Sequence, residues 1–175
     1  GRVPELLHTG LSDDFIEILD GSGVLGYPLS SSNVRSGRRF VGVVDYIAQE
    51  GAIALVIPTT QPTVSGQFLS TLFEGNSGSY GVLFDVTNVR QSQKVIITKL
   101  DIHASGEDSL RCEVWYRRGS SLDYPWNTDG GGWIMVVNES LVPEGGSGES
   151  KLIRFSKEKF TPIEIDSSEL VGLLV

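Results

Sequence analysis

Short runs of β-branched and aromatic residues, separated by glycine-bearing turns, recur along most of the chain and leave few segments with a helical apolar stripe. Strands point successive side chains to opposite faces, so runs of this kind fold by pairing edge to edge and burying one face each. The clearest candidate strands span 41–46, 52–57, 81–86, 94–103, 110–117, 133–137, 152–155, 160–165 and 170–175. The 21 glycines cluster between these runs with no fixed period, which marks turns rather than repeats. The pattern predicts an all-β fold, an antiparallel two-sheet β-sandwich. Residues 11–19 fit an edge strand built around Phe15, Ile16 and Ile18 or a helical turn capped by Ser12, and the strand is the better fit.

The 175 residues, 39% of them hydrophobic, suit one domain with a single continuous core spanning 1–175. A formal charge of -8 opposes contact with phosphate backbones and anionic headgroups, so no nucleic-acid partner is expected. No stretch reaches the ~20 apolar residues of a membrane span. The first residues show no charged and apolar leader, which suits a mature or excised chain from which a signal peptide has been removed. With Cys112 as its one cysteine, the chain forms no internal disulfide and no cysteine-based zinc site.

Alternation assigns faces. In 110–117, Leu110, Cys112, Val114 and Tyr116 share one phase, while Arg111, Glu113, Trp115 and Arg117 share the other. Charges face water most cheaply, so Cys112 is expected inward and unreactive. In 94–103, Ile96, Thr98, Leu100 and Ile102 are expected on one face, with Val95, Ile97, Lys99, Asp101 and His103 opposite.

Two long loops, 119–132 and 143–150, interrupt the strands. The first carries Asp123, Tyr124, Trp126, Asn127 and Asp129, is followed by Trp133, and is preceded on a strand by Trp115. Aromatic faces stack on the apolar faces of sugars, and Asp and Asn side chains hydrogen bond to hydroxyls, so these seven residues form the candidate ligand site. Competing readings are a core role for Trp133 and a lid role for Trp126. Glu107 and Asp108, with Asp101 nearby in sequence, form a candidate Ca²⁺ site, although an ordinary solvated turn accounts for them as well; no other cofactor is expected. Asn138, Glu139 and Ser140 form an acceptor sequon for N-glycosylation at Asn138.

Catalytic signatures are missing. His8 and His103 are the two histidines, and neither stands in a metal-ligand spacing; no nucleophile elbow or phosphate loop is present. An enzyme reading would rest on a carboxylate pair drawn from Asp85, Asp101, Glu113 or Glu164, acting as a glycoside hydrolase.

From Phe68 onward the order of features resembles a known family. A threonine-bearing strand and a glycine- and asparagine-rich turn lead to Phe84 and Asp85. A strand over 95–103, a Val-Trp-Tyr-Arg strand at 113–118, a tryptophan-bearing loop, Trp133 and a Phe-Thr-Pro-Ile-Glu-Ile segment at 160–165 follow. This order is similar to secreted β-rich repeat domains of diatoms, other marine algae and bacterial extracellular proteins. The resemblance covers 68–175; residues 1–67 fall outside it and are expected to add strands or an extension. It implies a jelly-roll-like topology, a secreted, extracellular location and an adhesive or carbohydrate-associated role. The leading expectation is thus a non-catalytic binding module whose partner is a glycan or another extracellular protein. Its rival is a structural subunit that forms a homo-oligomer, surface layer, appendage or filament, since sandwiches expose edge strands and the apolar run 170–175 needs cover on both faces as a central strand or against a partner.

Overall fold

The structure, a computed structural model, describes residues 11–24, 34–50, 66–71, 80–104, 108–123, 132–143 and 151–175. Among these no helix occurs and thirteen strands do: β1 (Leu11–Ser12), β2 (Ile16–Ile18), β3 (Gly21–Val24), β4 (Val34–Arg38), β5 (Gly42–Glu50), β6 (Gly66–Ser70), β7 (Gly81–Asn88), β8 (Gln93–Ala104), β9 (Leu110–Arg118), β10 (Ile134–Leu141), β11 (Lys151–Arg154), β12 (Ile163–Ile165) and β13 (Leu170–Leu174). They form two antiparallel sheets, the all-β sandwich that the sequence predicts. The larger sheet runs β1-β2-β7-β13-β9-β10, with β3 beside β2 along the same edge of β7 and β4 outside β3. The smaller runs β11-β8-β5-β6, with β12 sharing the edge of β8 that β11 occupies. No helix of the described residues is long and apolar enough to cross a membrane.

Between the sheets lies one core. Ile16, Phe84, Val86, Val114, Val171 and Leu173 enter from the larger sheet and Val44, Tyr46, Val95, Ile97, Leu100 and Ile163 from the smaller. Each fully buried aliphatic side chain of this kind contributes roughly 1.5–3 kcal/mol. Phe40, on the way from β4 to β5, stacks on Phe84 with ring centroids 4.4 Å apart. On the opposite side, residues 155–162 pass from β11 to β12 across the open margin of the sandwich. Glu139 of β10 holds this turn, accepting a hydrogen bond from Ser156 N (2.8 Å) and pairing with Lys159 (3.0 Å), while Thr161 N donates to Val136 O (3.3 Å).

The strands at residues 81–86, 94–103, 110–117 and 170–175 lie where the sequence places them, and residues 11–19 hold strands, not a helical turn. The strand expected over 133–137 starts at Ile134, and that over 160–165 shortens to Ile163–Ile165 because 156–160 form a turn. The expected strand 52–57 lies outside the described residues. β3 and β4 were not expected, and β6 overlaps the start of the threonine-bearing strand that the resemblance implies from residue 68 onward. The apolar run at 170–175 is a central strand between β7 and β9, with Val171 and Leu173 facing the main core and Leu174 facing away from it.

One face assignment is corrected. Asp45 pairs with Lys99 but Tyr46 pairs with Ile97, so Thr98 is an extra residue in β8 and the side-chain phase slips there. Val95 and Ile97 point into the core before the bulge and Leu100 and Ile102 after it, leaving Ile96 on the outer face with Lys94. A second bulge at Val136, between the pairs Met135 with Trp115 and Val137 with Val114, buries two consecutive valines.

Candidate functional site

The outer face of the larger sheet is not simply solvated. Cross-strand partners share a face, so the register sets a row of Met135, Trp115, Leu174, Leu83 and Ser22 across it, and beside that a row of Arg117, Gly172 and Asp85. Val24, Leu83 and Leu174 are buried there in a second apolar cluster, against which Val34, Trp115 and Trp133 pack. Arg117, expected as an outward charge, is on that face but 8% exposed; its guanidinium lies 5.9 Å from the centroid of the Trp133 ring, within cation–π range.

Beside this cluster, the chain leaving β9 folds back over the row of Gly172 and Asp85. Gly119 adopts a left-handed conformation (φ 83°), which costs a glycine little, and its N–H donates to Leu170 O (2.9 Å). The next residues then cross β13 at Gly172. A Cβ on Gly172 would sit 2.5 Å from Ser121 N, so only glycine lets the backbone approach this closely. Asp85, 7% exposed, anchors the crossing: Ser120 Oγ donates to its Oδ2 and Ser121 N to its Oδ1, both at 2.6 Å. A buried carboxylate with both oxygens satisfied in this way fixes the root of the 119–132 loop on the sheet.

Beside the tryptophans runs a polar strip. Trp115 Nε1 donates to Glu113 Oε2 (3.1 Å), and Asn138 Nδ2 donates to Glu113 Oε1 (3.2 Å). Arg111 pairs with Glu113 (2.8 Å) and its Nε donates to Asn138 Oδ1 (3.3 Å). Met135, 47% exposed, flanks Trp115 on the neighbouring strand.

Of the residues singled out by sequence, Trp115 and Trp133 thus come together, half-buried, in one cluster. Asp123 is exposed at the loop's start, its N–H directed at Ser120 O (3.4 Å). Tyr124, Trp126, Asn127 and Asp129 lie outside the described residues, as does Glu107. Asp101 is on the outer face of the smaller sheet, where Lys99 neutralises it at 2.8 Å, and Asp108 is exposed just before β9. No group of three or more His, Cys, Asp and Glu gathers to hold a metal among the described residues. Asn138 is exposed in mid-strand with its amide engaged by Glu113.

The four carboxylates considered for hydrolysis are spread out. Asp85 and Glu113 belong to the larger sheet, Asp101 and Glu164 to the smaller. Asp85 is level with Arg117, so Glu113 stands four residues along and two strands across, roughly 13 Å by 10 Å at backbone level. Glu164 is level with Ile96, five residues from Asp101, roughly 16 Å. A glycosidase pair needs about 5–9.5 Å between carboxyl groups.

Sequence reading missed the Asp85, Ser120 and Ser121 anchor and the burial of Arg117. The available signal was Gly172, an isolated glycine in an apolar strand, which marks a close backbone approach. Comparison with protein-family models, with curated proteins and with solved structures finds no match.

Proposed function

We propose that this chain is a non-catalytic, extracellular binding module that takes glycan on the outer face of its larger sheet. The observation that carries the reading is the convergence of Trp115 and Trp133 at the root of a pinned, aromatic loop, next to the Glu113 and Asn138 strip. Indole faces supply stacking area, and a carboxylate and an amide supply directional hydrogen bonds to hydroxyls. The bonds of Ser120 and Ser121 to Asp85 hold the loop root in place, which lowers the ordering entropy that opposes binding there. The separation of Asp85 from Glu113 and of Asp101 from Glu164 supports a non-catalytic role. The resemblance of 68–175 to secreted β-rich domains, with their jelly-roll-like topology, supports the extracellular setting.

Screening against a polysaccharide panel, followed by calorimetry on hits, tests the reading. Trp115→Leu keeps apolar volume in the cluster but removes the indole, and Trp126→Ala removes the loop aromatic. Each is expected to weaken binding, by on the order of 1 kcal/mol for a lost stacking partner. No hit, or hits indifferent to both changes, would sink it. A structural, self-assembling subunit is the second reading, favoured by Phe68, 69% exposed on β6 at the margin of the smaller sheet. Light scattering separates the two, because a monomer over a wide concentration range contradicts assembly.

A further inference from the structure

On the far margin of the larger sheet, β4 concentrates positive charge in an anionic protein. No Asp or Glu occurs between Asp20 and Asp45, whereas Arg35, Arg38 and Arg39 fall within that interval. Residues three apart in a regular strand point to opposite faces. Here Ser36 pairs with Ser22 and Arg38 with Gly21, so Gly37, in a left-handed conformation (φ 73°), is an extra residue that shifts the phase. Arg35 pairs with Gly23 and Arg38 with Gly21, which sets both guanidinium-bearing side chains on one face beside partners that have no side chain. Arg39 is paired with Asp20 at 3.0 Å, but neither Arg35 nor Arg38 has an ion-pair partner among the described residues. Among the described residues β4 pairs only with β3, along one of its two edges.

We propose that β4 is a docking edge for an acidic, extended peptide segment of a partner protein, which adds as a further strand and sets carboxylates against Arg35 and Arg38. Two features match one occupant: a strand edge is satisfied by another extended backbone, and the aligned arginines by alternate acidic side chains. A second copy's β4 does not fit, because pairing β4 with β4 places arginine against arginine. A polyanionic polysaccharide would use the charge and leave the backbone edge unsatisfied. The competing reading, in which the arginines merely keep the edge from pairing, forecasts no ligand at all.

Fluorescence anisotropy of the full chain with a labelled peptide of alternating Glu and Val tests this. Saturable binding is expected that weakens with added salt, falls by roughly tenfold or more in Arg35→Gln/Arg38→Gln, and is lost when alternate peptide amides are N-methylated. The charge-reversed Arg35→Glu/Arg38→Glu protein is expected to bind the Lys and Val counterpart instead, which guards against misreading an unfolded variant. Absence of binding, or binding unchanged in the double variant, overturns the proposal. So does equal binding of the N-methylated peptide with full competition by dextran sulfate, which would mark a site for polyanions generally.

Discussion

The phenol of Tyr46 on the smaller sheet meets the carboxylate of Asp13, in the β1–β2 turn of the larger sheet, at 2.5 Å. Asp13 uses its other oxygen to accept from Phe15 N (2.8 Å) and Ile16 N (3.0 Å), so one carboxylate shapes the turn and ties the two sheets together. Gln67 closes the group, 2.8 Å from the same hydroxyl. Burial, the bond to Asp13 and the charges of Asp13 and Asp14 together push the Tyr46 hydroxyl well above its ordinary value of 10.0.

Tyr46→Phe should therefore cost about 1–2 kcal/mol in urea unfolding at neutral pH, by removing a charge-assisted bond. Asp13→Ala should cost more, since the Phe15 and Ile16 amides lose their acceptor as well. Because the folded-state value is raised, the contribution of Tyr46 is fully present below pH 10.0 and is lost as pH climbs through the higher folded value. The alkaline fall in stability should accordingly be shallower in Tyr46→Phe than in the parent. Equal alkaline limbs would contradict the linkage.

The anchor of the 119–132 loop makes a graded expectation. Asp85→Ala leaves the buried Ser121 N–H without its acceptor and should cost about 1–3 kcal/mol. Asp85→Asn, which keeps one acceptor oxygen, should cost less. Gly172→Ala forces Ser121 off the sheet and should perturb the near-ultraviolet circular dichroism of the tryptophans. An unchanged aromatic spectrum in Gly172→Ala would show that the loop root does not depend on this approach.

Asn88, 1% exposed, ties the β7–β8 hairpin to the turn before β13. Its Nδ2 donates to Gln93 O (2.8 Å) and lies 3.3 Å from both Ile165 O and Asp166 O, while Oδ1 accepts from Arg90 N (2.9 Å). Asn88→Ala leaves several carbonyls unsatisfied and should cost about 2–3 kcal/mol. Asn88→Asp, which replaces the donors by a charge facing carbonyls, should be worse. A stable Asp variant would contradict the assignment.

Cys112 faces the core from β9, opposite Glu139 on β10, and is half-buried. Burial first, then the Glu139 charge, pushes its thiol up, so the reactive thiolate is disfavoured in the folded chain. A thiol reagent at pH 8 should label the native protein more slowly than the urea-unfolded one. Equal rates would overturn the register of β9.

Strands β7, β9 and β13 were readable because each carries a short apolar run, 82–84 in β7, 114–116 in β9 and the leucines and valine of β13. β3 and β4, with the sequences GSGV and VRSGR, were not, because pairing and cover hold them in the sheets and composition does not. Alternation failed in β8 because the bulge at Thr98 is a property of its pairing with β5. It placed Trp115 and Arg117 on the correct face of β9 but took that face for solvent, since nothing local shows that the loop returns over Asp85 and Gly172. The two tryptophans of the candidate site that the structure describes were legible as residues, but their meeting was not.

The central claim, that the outer face around Trp115 takes glycan, is tested most directly by following the indole N–H resonances of the three tryptophans during titration with oligosaccharides from any polysaccharide hit. A saturable shift of the Trp115 indole, with the amides of Glu113 and Asn138 moving in step and those around Tyr46 still, is the expected result. Saturable binding that leaves Trp115, Trp133 and their neighbours unmoved would contradict it.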